Sequence, residues 1–227
     1  MIRVFPDPGA VYEAVADAFR EAAHEAVTAR GRFAVALTGG RSAGPCHQAI
    51  ARRLGIEWAK VDLFWSDERA VPPEDDASNY RLAAPILEQG AHAHRMPGEA
   101  SDLEAAAALY AESLPEHLDL VHLGVGPDGH VASLFPGHRL LQETGKLVAA
   151  VLDSPKPPPR RITLTLPALR AAREVHVVAI GPEKAEAVAG AFRPPSPQVP
   201  ASLVAHGPAP VVWFLDRAAA ARLEKTA

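Results

Sequence analysis

Short apolar runs and alanine-rich helical stretches take turns along this chain. That alternation constrains its fold more than any other feature. Eight runs rich in Val, Ile, Leu and Phe read as buried strands: Ile2–Phe5, Phe33–Thr38, Val61–Trp65, Leu118–Val125, Leu147–Leu152, Ile162–Leu166, Val175–Ile180 and Val211–Leu215. Pro8–Arg30 is the clearest helix. Ala10, Ala14, Ala18 and Ala22, with Val11, Val15 and Phe19, recur at helical spacing, and Gly31 stands where a helix stops. Asp102–Ser113 and Glu183–Phe192 read the same way. Strands separated by helices pair in parallel through right-handed crossovers. The expected fold is α/β: a doubly wound, mostly parallel sheet with helices on both faces, Rossmann-like in its winding. Such sheets bind ligands at the carboxyl ends of their strands.

Composition narrows the function classes. Hydrophobic residues are 48% and charged residues 22% of the 227, a globular balance that excludes a disordered chain. The length suits one large domain or two small ones. The proline clusters Pro155–Pro159 and Pro194–Pro200 are short and lead into structured segments, so they read as ordered loops and 1–227 as a single domain. The 23 Lys+Arg against 27 Asp+Glu give a net charge of −4, so no basic field points to nucleic acid. Cys46 is the lone cysteine, which excludes an internal disulfide and a cysteine-based zinc cage. No apolar run approaches the ~18 residues of a membrane span, and the first residues lack a signal peptide's apolar core. A cytoplasmic location is expected, with no membrane partner, as a monomer or weak homo-oligomer.

Five segments carry candidate chemistry. In Ala36-Leu-Thr-Gly-Gly-Arg-Ser-Ala-Gly44 a buried strand runs into paired glycines and then a helix containing Cys46–Leu54. Gly39 and Gly40 let backbone approach a ligand, free amides at a helix start attract phosphate, and Arg41 adds a bidentate cation. The segment also spells G-x-S-x-G (Gly40, Ser42, Gly44), the serine-hydrolase elbow. Only 41 residues precede Ser42, and no oxyanion loop of the matching type is present, so phosphate binding is the stronger reading.

Asp67, Glu68 and Arg69 end the run from Val61, followed by Ser78-Asn-Tyr80. They read either as a solvated loop with a local ion pair or as the charged rim of a site. The segment Leu118–Gly137 contains G-x-G-x-x-G (Gly124, Gly126, Gly129). A dinucleotide fingerprint opens a long helix, whereas Pro136-Gly137 interrupts here, and Asp128 would face a pyrophosphate. The glycines instead shape a turn presenting Asp128 and His130. An imidazole titrating at about 6.5 suits proton transfer near neutrality. Lys156, Arg160 and Arg161 cluster before an alternating strand, and Lys184 follows Ile180-Gly-Pro-Glu at another helix start. His92, His94, His117 and His122 form no metal-ligand spacing.

Together these motifs resemble the 6-phosphogluconolactonase family, within the wider group that includes glucosamine-6-phosphate deaminases and ribose-5-phosphate isomerase-like folds. The resemblance spans nearly the whole chain, through LTGGRS, SDERAVPPEDDASNYRLA, LGVGPDGHVASLFPGH, SPKPPPRRITLTLPAL, GPEKAEAV and VVWFLDRAAA. Ala43 stands where the family often has Pro, and Val131 where it usually has Thr after DGH. The resemblance implies hydrolysis of 6-phospho-D-glucono-1,5-lactone in the oxidative pentose phosphate pathway, with no metal or organic cofactor. It implies His130 as the base, Asp128 as its orienting partner, and Arg69 as a cation for the oxyanion or the phosphate. Gly39, Gly40, Arg41, Ser42 and Lys184 would hold the phosphate, with Asp67 and Arg161 as further substrate-binding candidates. Two other function classes stand beside this one: another sugar-phosphate enzyme on the same scaffold, such as a deaminase, and a non-catalytic sugar-phosphate sensor.

Overall fold

The computed structural model describes residues 1–223. In chain order its elements are β1 (Ile2–Phe5), α1 (Pro8–Arg30), β2 (Phe33–Leu37), α2 (Ala43–Ala51), β3 (Val61–Trp65), β4 (Asp67–Arg69), α3 (Asn79–Leu82), α4 (Ala84–Leu87), β5 (His92–Ala93), α5 (Leu103–Ser113), β6 (Leu120–Gly124), β7 (Val148–Val151), β8 (Arg161–Leu164), α6 (Leu166–Ala171), β9 (Val175–Ala179), α7 (Ala185–Ala191), α8 (Pro200–Ala205) and β10 (Val211–Asp216). Single turns of 3₁₀ helix cover Trp58–Lys60, Arg139–Gln142 and Pro182–Lys184.

Seven strands form one sheet in the order β1-β10-β9-β6-β2-β3-β5, and every neighbouring pair is parallel. This is the expected doubly wound sheet. Its central strands are apolar on both faces because helices cover both, so they read as continuous runs rather than alternations. The main helix is specified locally. Asp7 accepts from the Ala10 amide at 2.9 Å, Pro8 fills the first turn, and Gly31 closes the far end at φ 78°. Val11, Val15 and Phe19 face inward, and Phe19 meets Phe33 of β2 edge-on at 5.2 Å.

The chain winds outward from β2 through β3 to β5, then returns to the other side of β2 as β6 and continues to β9 and β10. The winding therefore reverses between β2 and β6. At such a reversal the crossovers leave on opposite faces and open a crevice beyond the carboxyl ends of the two strands. The Gly39-Gly40 and Gly124–Gly129 segments both start there.

One expectation needs correction. The runs at 147–152 and 162–166 are strands, but they do not join the parallel sheet. β7 and β8 pair antiparallel, and β8 pairs antiparallel with β4, giving a separate small sheet in the order β4-β8-β7. β4 is the segment of three adjacent charges, read from the sequence as a strand's end. Leu166, assigned to the second run, begins α6 instead, where Pro167 suits a helix's first turn. The Pro155–Pro159 stretch is the ordered connection between β7 and β8.

Candidate active site

The crevice between β2 and β6 holds a cleft of about 500 Å³. Its floor is the end of β2. Gly40 adopts φ 90°, a conformation that suits glycine, and turns the chain into α2. Ser42 caps α2 with no side-chain hydrogen bond; in the first turn the Ala43 amide donates to the Gly40 carbonyl at 3.1 Å and Pro45 has no N–H, so the Gly44 amide is the one left without an acceptor among the described residues. Thr38 Oγ1 accepts from the Gly124 amide at 3.2 Å and ties the two strand ends together.

The opposite wall is the turn after β6. The Gly126 amide donates to the His130 carbonyl at 2.8 Å, and the Gly129 amide to the Gly126 carbonyl at 2.9 Å, with Gly129 at φ 83°. This tight turn folds the side chains of Asp128 and His130 back over Gly126. A Cβ on Gly126 would overlap both of them, so the position excludes any side chain. No helix follows the turn, consistent with setting the dinucleotide fingerprint aside.

His130 Nδ1 lies 2.5 Å from Asp128 Oδ1, and its ring rests 4.9 Å from that of Phe135. A carboxylate oxygen at that distance requires Nδ1 to carry the proton. The Nε2 lone pair is then the basic site, and the described residues give it no hydrogen-bond partner. Partial burial pushes the Asp128 carboxyl up. The His130 hydrogen bond and charge, with Lys156 behind them, outweigh it and hold Asp128 well below the usual carboxylate range. Lys156 Nζ sits 3.0 Å from Asp128 Oδ1 and 3.1 Å from His130 Nδ1.

The third wall is the small sheet. Asp67 is buried, accepts from Ser133 Oγ at 2.6 Å and from Asn79 Nδ2 at 3.0 Å, and lies 3.9 Å from Arg161. Asn79 presses on Gly39, where a Cβ would overlap its side-chain amide. Glu68 turns away from the cleft. Its two oxygens take the amides of Arg69, Asn79 and Tyr80, each at 2.7 Å, and the Ser78 hydroxyl at 3.0 Å. Burial pushes its carboxyl up against those amides, which pull it down. Arg69 donates to the Ala77 carbonyl at 2.6 Å and lines the cleft, while its buried Nε has no partner among the described residues.

Gly39, Gly40, Arg41, Ser42, Asp67, Arg69, His130, Arg161 and Lys184 thus all line one cleft, with Asp128 directly behind His130. Two of them carry competing bonds. Arg41 pairs with Glu183 at 2.7 Å, in an exposed position. Arg161 spends most of its donors on the carbonyls of Lys156, Pro157 and Pro158, each at 3.1 Å. Lys184 is half-buried; that burial lowers its ammonium's pKa, and the nearby Glu183 carboxylate works the other way. Sequence reasoning missed Lys156 as part of the site, although SPKPPPRR was noticed as a cluster of cations. It also missed Thr38, Asn79 and Ser133. The elbow alternative needs a base within hydrogen-bond reach of Ser42, and no histidine among the described residues bonds to it. Nor does any group of three or more His, Cys, Asp or Glu among the described residues have the arrangement to hold a metal ion.

A family model described as glucosamine-6-phosphate isomerases/6-phosphogluconolactonase matches residues 6–213. The 6-phosphogluconolactonase of Mycobacterium tuberculosis is 40% identical over 241 residues, covering 98% of each chain. That of Streptomyces coelicolor is 43% identical over 226 residues, covering 89% of this chain and 86% of its own. The crystal structure of a 6-phosphogluconolactonase from Shewanella baltica superposes with a TM-score of 0.85 at 29% identity, over 95% of this chain and 97% of that one.

Proposed function

The chain belongs to the glucosamine-6-phosphate isomerase/6-phosphogluconolactonase family, and from that premise we propose that it hydrolyses 6-phospho-D-glucono-1,5-lactone to 6-phosphogluconate with His130 as the base. This is the lactone-opening step of the oxidative pentose phosphate pathway. The observation that carries the residue assignment is the Asp128–His130 pair at 2.5 Å, whose geometry leaves Nε2 as an unpartnered base at the cleft.

The chemistry asked of the site is modest. Water attacks the lactone carbonyl, and its proton passes to His130 Nε2. The tetrahedral oxyanion collapses, the ring C–O bond breaks, and the same proton returns to the leaving ring oxygen. Asp128 fixes the tautomer and ring orientation through both steps and offsets the imidazolium charge. Arg69 lines the cleft and brings its guanidinium charge to the oxyanion or a substrate oxygen. The Gly39–Ser42 backbone at the start of α2, with Arg41 and Lys184, holds the 6-phosphate and fixes the carbonyl's position. Asp67 and Arg161 support the wall between them. The whole chain, 1–227, acts as one such unit. No helix among the described residues is long and apolar enough to cross a membrane.

The test is a rapid coupled assay in which the lactone is generated from glucose 6-phosphate, since the lactone also opens spontaneously. His130→Ala should lower kcat about 10²- to 10⁴-fold with the fold intact. Near-normal turnover would remove His130 as the base. Ammonia release from glucosamine 6-phosphate would instead mark the chain as a deaminase.

A further inference from the structure

The loop between β7 and β8 brings to Asp128 and His130 a cation that is far from both in sequence. Lys156 Nζ lies 3.0 Å from each oxygen of the Asp128 carboxylate and 3.1 Å from His130 Nδ1. An ammonium offers no lone pair, and Nδ1 already directs its proton at Asp128. The Lys156–His130 approach is therefore not a hydrogen bond. It is a positive charge held against the side of the imidazole, with the carboxylate shared between the two.

The placement is built into the backbone. Arg161 is buried. Its Nε donates to the Pro158 carbonyl and its Nη2 to those of Lys156 and Pro157, each at 3.1 Å. Ser154 Oγ donates to the Lys156 carbonyl at 2.9 Å. The guanidinium lies over Phe135, the ring on which His130 also rests. One aromatic side chain and one buried arginine thus fix the lysine's loop relative to the histidine.

We propose that Lys156 is a positioning residue that grips Asp128 by both oxygens and, by its charge beside Nδ1, keeps His130 in the proton-accepting form. This rests on the reading of His130 as the base. When His130 takes the water's proton, the imidazolium meets an ammonium 3.1 Å away and has only a shared carboxylate to balance it. The proton is held loosely, which favours its return to the ring oxygen. The other charged groups near the ring are few. Asp128 comes from its own turn and Lys184 from the turn after β9, with Asp67, Arg69 and Arg161 on the small sheet and Arg41 and Glu183 at the rim. Of these, only Asp128 and Lys156 are within hydrogen-bond distance of the His130 ring.

The test is the pH profile of kcat/KM for Lys156→Met and Lys156→Arg. Methionine keeps the unbranched stem and drops the charge. Its acid limb should move to higher pH by about one unit, which is about a tenfold loss of activity on that limb. Arginine should restore the wild-type midpoint. An acid limb that stays in place overturns the proposal, whether activity falls equally at every pH or KM alone rises. A histidine-selective NMR titration reads the same midpoint even if Lys156→Met turns over too slowly to assay. If His130→Ala keeps its turnover, the reading of the base is what failed. If His130→Ala is inactive and the limb does not move, only the role of Lys156 is lost.

Discussion

The two sheets of this protein solve opposite problems. The seven-stranded sheet buries apolar strands between helices, and burial alone stabilises it: Val35, Leu37, Leu63, Trp65, Leu123 and Val177 are all fully buried. The three-stranded sheet buries charge. Asp67, Glu68 and Arg161 lie on two of its strands, each about as enclosed as a core leucine. Buried polar groups are tolerated only when hydrogen-bonded, and here nearly every one is. Glu68 is saturated by three amides and a hydroxyl, Asp67 by Asn79 and Ser133, and Arg161 by loop carbonyls. The large sheet supplies rigidity and a crevice, while the small one supplies fixed charge at its edge.

Matched substitutions sharpen that contrast most strongly. Glu68→Ala strands four donors in a dry site and should cost about 3–5 kcal/mol. Phe33→Ala, at the amino end of β2 and far from the cleft, should cost a similar 3–5 kcal/mol through its cavity. Urea unfolding measures both. The two should part company in activity per folded molecule. Phe33→Ala keeps it, because the carboxyl end of the sheet is untouched. Glu68→Ala loses most of it, because the amides of Arg69, Asn79 and Tyr80 lose the group that holds β4 and α3 together. Equal retention in both would break the division between scaffold and site.

The same contrast decides what the sequence could reveal. Continuous apolar runs can only be buried strands or helices, so the large sheet was readable almost to the residue at 2–5, 61–65 and 175–179. β5, two exposed residues at the sheet's edge, carries no apolar signal at all. β7 and β8 were visible as strands, but nothing in a fully buried Val-Ala-Ala-Val states which sheet it joins. β4 was unreadable as a strand because Asp-Glu-Arg looks solvated until its partners are known, and those partners lie as far away as Ser133. The site shows the same limit. Glycine turns and the Asp128-x-His130 spacing are local and legible. Lys156 reaches Asp128 across 28 residues, and Arg41 reaches Glu183 across 142.

A smaller effect tests the interior of the large sheet. His47 on α2 and His122 on β6 are fully enclosed, each with an Nε2 that has no partner among the described residues. Burial lowers the His47 imidazole to about 4 and pushes His122 well below its ordinary value. Unfolded, both would bind a proton below about 6.5. The folded state therefore binds fewer protons than the unfolded one across this window. Stability is full above about pH 6.5 and falls as the pH drops toward 4, by about 3 kcal/mol for His47 alone. Urea midpoints measured at steps across the window should show that slope, and His47→Gln should flatten it. A slope unchanged in His47→Gln would mean that the polar rim, not the enclosed histidine, governs acid sensitivity.

The smallest effects belong to the cations at the mouth of the cleft, where function and stability separate most cleanly. Arg41 faces solvent and pairs with Glu183, and an exposed pair of this kind contributes about 0–1 kcal/mol. Lys184 is only half-buried, so its removal leaves no sealed cavity. Neither Arg41→Ala nor Lys184→Ala should move the thermal midpoint by more than a few degrees. A charge-assisted bond to a phosphate is stronger, about 1.5–3 kcal/mol, or roughly ten- to a hundredfold in affinity. KM for 6-phosphogluconolactone should rise by that order in Lys184→Ala. It should rise less in Arg41→Ala, because water and Glu183 already compete for the guanidinium. Unphosphorylated gluconolactone is the control: it reaches the same His130 without the anion, so its kinetics should stay near wild type in both variants. Equal losses on the two substrates would mean that these cations shape the cleft rather than hold the phosphate. The phosphate would then be left to the loop before α2, through the amides of Arg41, Ser42 and Gly44 and the Ser42 hydroxyl.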